Sequence, residues 1–238
     1  MNKRDNIIPR GKWSFNEEVA DCFNDMISRS IPDYNNMRDL TREIILQKVC
    51  DKEFNMLDIG CSTGIQISNI LSQCGNNGHY IGIDTSKPMV ERANKIFENM
   101  NYVDIICDDF ITNKDICNYN YDIITSSLTM QFIQKDVRQV AVNKVYDLLR
   151  LGGRFLMIEK IKGDTKYSDD LLVSIYRQHK INNGYTEQAI DSKNESLKGV
   201  LVPNKDFENI NMLKKAGFTV VDVYWRCLNF TAYIAIKN

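Results

Sequence analysis

Residues 56–64, with the sequence Met-Leu-Asp-Ile-Gly-Cys-Ser-Thr-Gly, constrain the fold more than any other stretch of this chain. The apolar residues before the first glycine predict a buried strand, and the two glycines predict a tight turn that opens a helix. Gly60 lets the backbone come close to a bound molecule, and Gly64 lets the following helix pack tightly on the sheet. We therefore expect a ligand at this turn.

The spacing of the two glycines excludes a dinucleotide site. Such a site needs the pattern G-x-G-x-x-G to bring a pyrophosphate onto a helix N-terminus, whereas this turn runs Asp-x-Gly-x-x-x-Gly. The turn instead resembles the S-adenosylmethionine (AdoMet) site of class I methyltransferases, whose ligand is a cationic sulfonium that carries an amino acid and no phosphate. The alternative is that both glycines serve packing alone.

The composition is typical of a globular protein, since 43% of the 238 residues are hydrophobic and 26% are charged. This length suits one α/β domain spanning residues 1–238, and no apolar run approaches the ~20 residues that a membrane span needs. The net charge of −1 and the scattered basic residues argue against direct binding to nucleic acid. The start of the sequence has no secretory signal, so we expect a cytoplasmic protein.

The chain has seven cysteines and two histidines, but no C-x-x-C pair. This pattern gives little support to a metal site, and none is expected.

Strands and helices alternate through the middle of the chain. This order predicts a Rossmann-like, doubly wound α/β sheet of the class I methyltransferase type, with Arg154 to Glu159 as the fifth strand. Two predicted helices precede the sheet, the first opened by a capping box of Ser14 and Glu17. We interpret residues 1–53 as an N-terminal helical lid.

Two further segments follow the fifth strand. Residues 160–216 are too many for an ordinary connection, and they predict a helical insertion that carries substrate contacts or a dimer contact. Residues 218–236 predict two strands joined around Arg226 and Cys227, which would close the sheet as an antiparallel hairpin.

Acids follow the first three predicted strands, at the edge where open α/β sheets bind ligands. Asp58 could orient the turn or receive the amino group of AdoMet. Asp84 lies near the ~20-residue offset at which a carboxylate takes the ribose hydroxyls, and Asp109 with Phe110 could hold the adenine. Each acid alone could be a turn or cap residue, but their convergence favours an AdoMet pocket.

Beyond these motifs, nearly the whole chain resembles the bacterial carboxy-AdoMet synthases, a branch of the class I methyltransferase superfamily. That branch supplies a carboxylated AdoMet for modification of the tRNA wobble uridine. The pieces Ser-Ile-Pro-Asp-Tyr and Trp-x-Cys-x-Asn-Phe are specific to the branch. The resemblance is carried by Phe15 to Tyr34, Asp58 to Ser62, Leu128 to Phe132, Asn183 to Tyr185, Lys215 to Phe218 and Trp225 to Phe230.

The resemblance implies AdoMet as the cofactor and a homodimer formed through the late insertion. It also implies that Tyr34 approaches the cofactor. With the residues of the glycine turn and the strand ends, the expected cofactor site consists of Tyr34, Asp58, Gly60, Cys61, Ser62, Gly64, Asp84, Thr85, Met89, Asp109, Phe110 and Ser127.

The chain departs from the family at two positions, with Ser127 in place of an asparagine and Asn194 in place of an arginine. In the family, that arginine grips the carboxylate that is added to the sulfonium methyl. A neutral amide cannot reproduce the charged, bidentate contact of a guanidinium. Lys193 next to Asn194, or Arg177 further upstream, could stand in for the family arginine.

Our leading hypothesis from the sequence is therefore an AdoMet-dependent methyltransferase that acts on a small-molecule acceptor. Methyl transfer needs mainly a dry and oriented geometry. One alternative is the carboxy-AdoMet synthase itself, which uses AdoMet and prephenate, and another is a protein that binds AdoMet without chemistry. The expected acceptor side consists of Tyr34, Gln131, Tyr176, Arg177, His179, Tyr185 and Asn194.

Four of these residues are the candidates for a catalytic role: Tyr185, Asn194, Arg177 and His179. The bland alternatives are a packed helix residue for His179, a turn cap for Tyr185 and a solvated helix charge for Arg177.

Overall fold

The alternating pattern produces a single mixed sheet in the computed structural model, which describes residues 3–49 and 52–238. The strands are β1 (Phe54–Ile59), β2 (Gly78–Asp84), β3 (Val103–Cys107), β4 (Tyr121–Ser127), β5 (Leu149–Lys162), β6 (Asn204–Lys205), β7 (Val220–Cys227) and β8 (Phe230–Ile236). Their order across the sheet is β3-β2-β1-β4-β5-β8-β7, with β6 beside β5. Only the pairs that include β8 are antiparallel.

Helices cover both faces of the sheet, as the predicted doubly wound fold requires. They are α1 (Glu17–Ser30), α2 (Tyr34–Val49), α3 (Ile65–Cys74), α4 (Lys87–Phe97), α5 (Arg138–Leu148), α6 (Lys166–Asn182), α7 (Glu187–Ser196) and α8 (Asp206–Lys215). Within the described ranges, no helix is both long and apolar enough to cross a bilayer.

The core lies on both faces of the central strands. In β4, Ile124 packs in one apolar cluster with Leu57 of β1, while its neighbour Ile123 packs in a second cluster with Met56. All four side chains are fully buried. Successive residues of a strand point to opposite faces, so such a strand must be apolar throughout.

The parallel register brings the strand ends that carry polar residues to one edge. Ile59 of β1 pairs with Ile83 of β2 and with Ser126 of β4, and Asp84 pairs with Cys107 of β3. The loops that follow these strands therefore meet at the same edge, where open α/β sheets bind ligands.

The first helix does not begin with the predicted capping box. The N-cap residue is Asn16, whose side-chain oxygen accepts a hydrogen bond from the Val19 amide at 3.0 Å. The segment before this cap is held against α7, where the Trp13 amide donates to the Ser196 carbonyl at 2.9 Å. Residues 1–2 and 50–51 of the predicted lid lie outside the described residues.

The second half of the chain differs from the prediction in three places. Strand β5 extends beyond Arg154 and Glu159 at both ends, and helix α7 was not predicted. The C-terminal hairpin is present, but its turn lies at residues 228–229, because Cys227 still pairs with Phe230. Leu228 adopts the left-handed conformation that such a tight turn requires, with φ of 50°.

Candidate active site

A cavity of about 550 Å³ lies over the carboxyl edge of the sheet, in the size range of small-molecule sites. It is enclosed by three parts of the chain. The N-terminal segment contributes Phe15 and Phe23, the strand ends contribute the polar residues described below, and the insertion contributes Leu197. Phe15 packs edge to face on Phe132 with ring centroids 5.2 Å apart, which closes the cavity from the lid side.

Both glycines of the turn have left-handed backbone and are approached closely by side chains of this chain. Gly60 has φ of 69°, and a Cβ at this position would lie 2.2 Å from Oγ1 of Thr129. Gly64 has φ of 78°, and a Cβ there would lie 2.5 Å from the ring of Phe97 on α4. Gly60 therefore admits a neighbouring loop, and Gly64 admits the close packing of α4 against the start of α3.

Asp84 ties the glycine turn to the end of β2. One carboxylate oxygen accepts a hydrogen bond from the Ser62 amide at 2.9 Å, and the other accepts from the Ser86 amide at 2.8 Å. The carboxylate lines the cavity, and burial raises its pKa. Each oxygen has a second lone pair, so a ribose could still donate to it.

Asp58 is the most deeply buried acid of the cavity, with 3% of its surface exposed. Thr125 donates a hydrogen bond to its Oδ1 at 2.7 Å. Burial raises the pKa of Asp58 to about 7, and the nearby Asp84 raises it further, whereas the bond from Thr125 lowers it. A cationic ligand would favour the ionised form of this carboxylate.

Asp109 and Phe110 lie on the wall below β3. One oxygen of Asp109 accepts from the amides of Ile111 and Thr112, at 2.6 and 3.3 Å, which shapes the turn. Phe110 is buried and presents an apolar surface to the cavity. This wall is suited to a flat, partly polar group such as a purine base.

Most of the predicted cofactor residues come together around this cavity. Gly64 and Met89 do not line it: Gly64 packs against α4, and Met89 is buried in an apolar cluster with Trp13 and Val19. The predicted residues that line the cavity are Tyr34, Asp58, Gly60, Cys61, Ser62, Asp84, Thr85, Asp109, Phe110 and Ser127.

Of the four catalytic candidates, Asn194 lines the cavity. Arg177 points to the surface of the insertion, where it is paired with Glu187 at 2.8 Å and with Asp191. Because these acids hold the Arg177 guanidinium at the surface, it does not line the acceptor side of the cavity. We therefore withdraw the predicted catalytic role of Arg177.

His179 and Tyr185 also lie outside the cavity lining. His179 contacts the Asn183 side chain at the end of α6. The hydroxyl of Tyr185 donates to the buried carboxylate of Asp5 at 2.7 Å, and its ring stacks under Arg29. Both residues fasten the insertion and the lid, so we no longer assign them a catalytic role.

Three lysines line the cavity on the side of the insertion: Lys160, Lys180 and Lys193. The sequence interpretation considered only Lys193, as a substitute for the family arginine. Lys180 lies one helical turn after Tyr176 on α6, a spacing that puts both on one helix face. Lys160 follows directly on an apolar strand, and these two signals could have identified the pair.

Comparison with known proteins agrees with this geometry. A family model described as a methyltransferase domain matches residues 56–153. The carboxy-S-adenosyl-L-methionine synthase of Nitratiruptor sp. is 37% identical over 230 residues, which cover 95% of this chain and 94% of that protein. The chain belongs to the carboxy-S-adenosyl-L-methionine synthase family. The protein of that name from Staphylococcus epidermidis is 34% identical over 227 residues, covering 95% of this chain and 97% of that one.

Solved structures show the same fold at low identity. A methyltransferase of Methanococcus maripaludis described as putative and AdoMet-dependent matches with a TM-score of 0.62 at 19% identity, over 97% of both chains. Human N-acetylserotonin methyltransferase in complex with SAM matches with a TM-score of 0.62 at 16% identity, over 93% of this chain and 55% of that one. The Rossmann-like class I methyltransferase fold is thereby confirmed.

Family membership confirms two further predictions. The chain is an enzyme of the AdoMet-dependent methyltransferase type, and AdoMet is its cofactor. The acidic strand ends and the glycine turn fit the cationic sulfonium, the ribose and the base of that cofactor.

Proposed function

We propose that this enzyme converts AdoMet into carboxy-AdoMet, using prephenate as a small, anionic second substrate. The observation that carries the proposal is the separation of charge within the cavity. Carboxylates from Asp58 and Asp84 lie at the glycine turn, and the ammonium groups of three lysines lie on the side of the insertion. A cationic cofactor suits the first side, and a carboxylate-bearing substrate suits the second.

Two of the lysines have no acidic partner among the residues that the structure describes. The ammonium groups of Lys160 and Lys180 lie 4.8 and 4.5 Å from the centre of the Tyr176 ring. Lys193 differs, because its ammonium lies 3.5 Å from a carboxylate oxygen of Asp5. Asp169 and Asp191 act on Lys160 and Lys180 only from beyond ion-pair distance, and they act to raise the pKa values of the two lysines. Buried cations that form no ion pair are costly, and an anionic ligand would lower that cost.

The pKa values of the lysines agree with a site that is suited to an anion. Burial lowers the pKa of Lys180 to about 7, and the neighbouring Lys160 and Lys193 lower it further. Burial also lowers the pKa of Lys160. A bound carboxylate would raise both values and hold the ammonium groups in their charged form.

In the proposed reaction prephenate loses carbon dioxide and hydroxide as its ring becomes aromatic, which leaves phenylpyruvate. The hydroxide takes a proton from the methyl group of AdoMet and becomes water, and the electron pair left on that carbon forms the new carbon–carbon bond to the carbon dioxide. The product carries a new carboxylate beside the sulfonium. The sequence interpretation favoured simple methyl transfer, because Asn194 replaces the arginine that holds this carboxylate in the family. The lysine pair changes that preference, since it supplies positive charge to the same cavity from other positions.

The second candidate is methyl transfer to an anionic acceptor, and Asn194 is the observation that favours it. Asn194 lines the cavity, and its amide is a neutral donor rather than a charged fork. In this case the lysines would bind the acceptor, and the cofactor would leave as S-adenosylhomocysteine.

Mass spectrometry of the reaction products tests the proposal. The purified enzyme is incubated with AdoMet and prephenate, and a cofactor product that has gained one carboxyl group is the expected result. Formation of S-adenosylhomocysteine with a methylated acid would contradict carboxylation and support the second candidate.

The variant Lys180→Met tests the role of the lysines, with Lys166→Met as the matched control on the same helix. Lys166 is paired with Asp170 and its side chain is 88% exposed. Loss of one charged hydrogen bond of about 1.5–3 kcal/mol should lower kcat/KM for prephenate at least tenfold in the first variant. Equal rates in both variants would remove the lysine side from the proposal.

A further inference from the structure

We propose that Arg38 and Gln66 form a carboxylate-binding subsite at the glycine-turn end of the cavity. Under the proposed function, two molecules bring carboxylates to this cavity: AdoMet, through its methionine part, and prephenate, which carries two. The position of the subsite favours the first, and the experiment below separates the two. The inference rests on AdoMet as cofactor and not on which one-carbon reaction follows.

Arg38 is a cation that faces the cavity without a carboxylate partner. It lies on α2 one turn after Tyr34, with the guanidinium carbon 5.5 Å from the centre of the tyrosine ring. Its Nε is buried and has no hydrogen-bond partner among the described residues. Arg42, one turn later on the same helix, is paired with Asp39 at 2.8 Å and with Glu43 at 3.2 Å. Of these two arginines, Arg42 is paired with acids, whereas Arg38 faces the cavity and has no ion pair among the described residues.

Gln66 supplies a second unmatched donor. It lies in the first turn of α3, directly after the glycine turn, and is 8% exposed. Gln66 lines the same cavity, and its side-chain Nε2 is buried and has no partner within the part of the chain that the structure describes. The N-cap of α3 is Gly64, which has no side chain to cap the first amides. All of these groups are donors, so the complementary ligand is an anion.

The surroundings of Tyr34 indicate which anion this is. Burial raises the pKa of Tyr34 to about 12, with Arg38 acting to lower it and Asp58 acting to raise it. A cation and an acid therefore both act on the hydroxyl of one residue that lines the cavity. An α-amino acid carries one positive and one negative group on the same carbon. Asp58 suits its ammonium group, and the planar fork of Arg38 suits its carboxylate.

Binding of two ligands tests the subsite without any turnover. S-adenosylhomocysteine carries the amino acid, and 5′-methylthioadenosine has the same nucleoside and sulfur without it. By calorimetry, Arg38→Met should weaken S-adenosylhomocysteine about 10- to 100-fold and leave 5′-methylthioadenosine within about twofold. Gln66→Leu should weaken the same ligand by a smaller factor, and Arg42→Met should change neither.

Two further results have distinct meanings. If Arg38→Met leaves S-adenosylhomocysteine unchanged and raises KM for prephenate tenfold, the subsite stands and holds the second substrate. If it weakens both nucleosides equally, or changes no ligand at all, the subsite is overturned. Arg38→Lys keeps the charge without the fork, and an intermediate affinity in a folded variant separates lost binding from lost structure.

Discussion

Asp84 shows how one side chain both builds a loop and faces a ligand. Its two oxygens accept from the amides of Ser62 and Ser86, so the carboxylate fixes the turns that follow β1 and β2. The structural role and the cofactor role of this residue, which the sequence left as alternatives, are compatible in one geometry.

Replacing Asp84 with asparagine should weaken AdoMet binding by about 1.5–3 kcal/mol, because the ribose loses a charged acceptor. The matched control is Asp104→Asn on β3, where the carboxylate is exposed and contacts His79. Calorimetry at one pH measures both. Unchanged affinity in the first variant would remove Asp84 from the ribose site.

Asp58 should make cofactor binding depend on pH. With a pKa of about 7, its carboxyl is largely protonated at pH 6 and largely ionised at pH 8. The ionised form attracts the positive charges of AdoMet, so affinity should rise from pH 6 to pH 8 and binding should release a proton. Asp58→Asn should flatten this dependence. If the AdoMet affinity of Asp58→Asn changed with pH as steeply as that of the wild-type enzyme, the released proton would come from another group.

At the scale of elements, the sequence predicted the features that depend on neighbouring residues alone. The glycine turn and the fully apolar strands were predicted because left-handed backbone and two-sided burial leave direct signatures in the sequence. Arg38 on α2 lies far along the chain from Lys160 on β5 and Lys180 on α6, and only the tertiary fold brings them to one cavity. Helix α7 was missed because its core contribution is small, with Ala189, Ile190 and Ser196 buried.

Helix α6 is expected to form a homodimer contact. In this helix of 17 residues, Lys180 is the only residue that is fully buried. Tyr167, Leu171 and Ile175 follow one another every fourth residue and are 80%, 49% and 44% exposed, which gives an apolar stripe open to solvent. Leu171→Glu should therefore convert a dimer into a monomer in light scattering after size exclusion.

Ile96→Glu is the control for that experiment, because Ile96 lies on α4 and is 53% exposed. It should leave the mass unchanged. If the wild-type enzyme is a monomer, or if it is a dimer that neither substitution disrupts, the stripe on α6 is not a subunit contact.

At the scale of the whole molecule, the cavity joins parts that are distant in sequence. The lid, the sheet edge and the insertion each contribute lining residues, and Tyr185 of the insertion is bonded to Asp5 of the N-terminal segment. A ligand that fills the cavity therefore contacts all three parts at once. We propose that they form one cooperative domain.

A thermal melt tests this proposal. S-adenosylhomocysteine at about 100 times its Kd should add about 2.7 kcal/mol to the free energy of unfolding. For a chain of this size, this corresponds to a rise in Tm of roughly 5–10 °C. The transition should stay single and move as a whole. Two transitions, of which only one moves, would show that the lid or the insertion unfolds separately.

The position of β8 has a consequence for synthesis on the ribosome. This strand comes last in the sheet's chain order, yet it lies between β5 and β7 and pairs with both. A nascent chain that has emerged only as far as residue 229 therefore exposes the unpaired backbone of β5. An unpaired strand edge of this kind promotes aggregation. That edge is covered only when β8 has emerged and paired with β5.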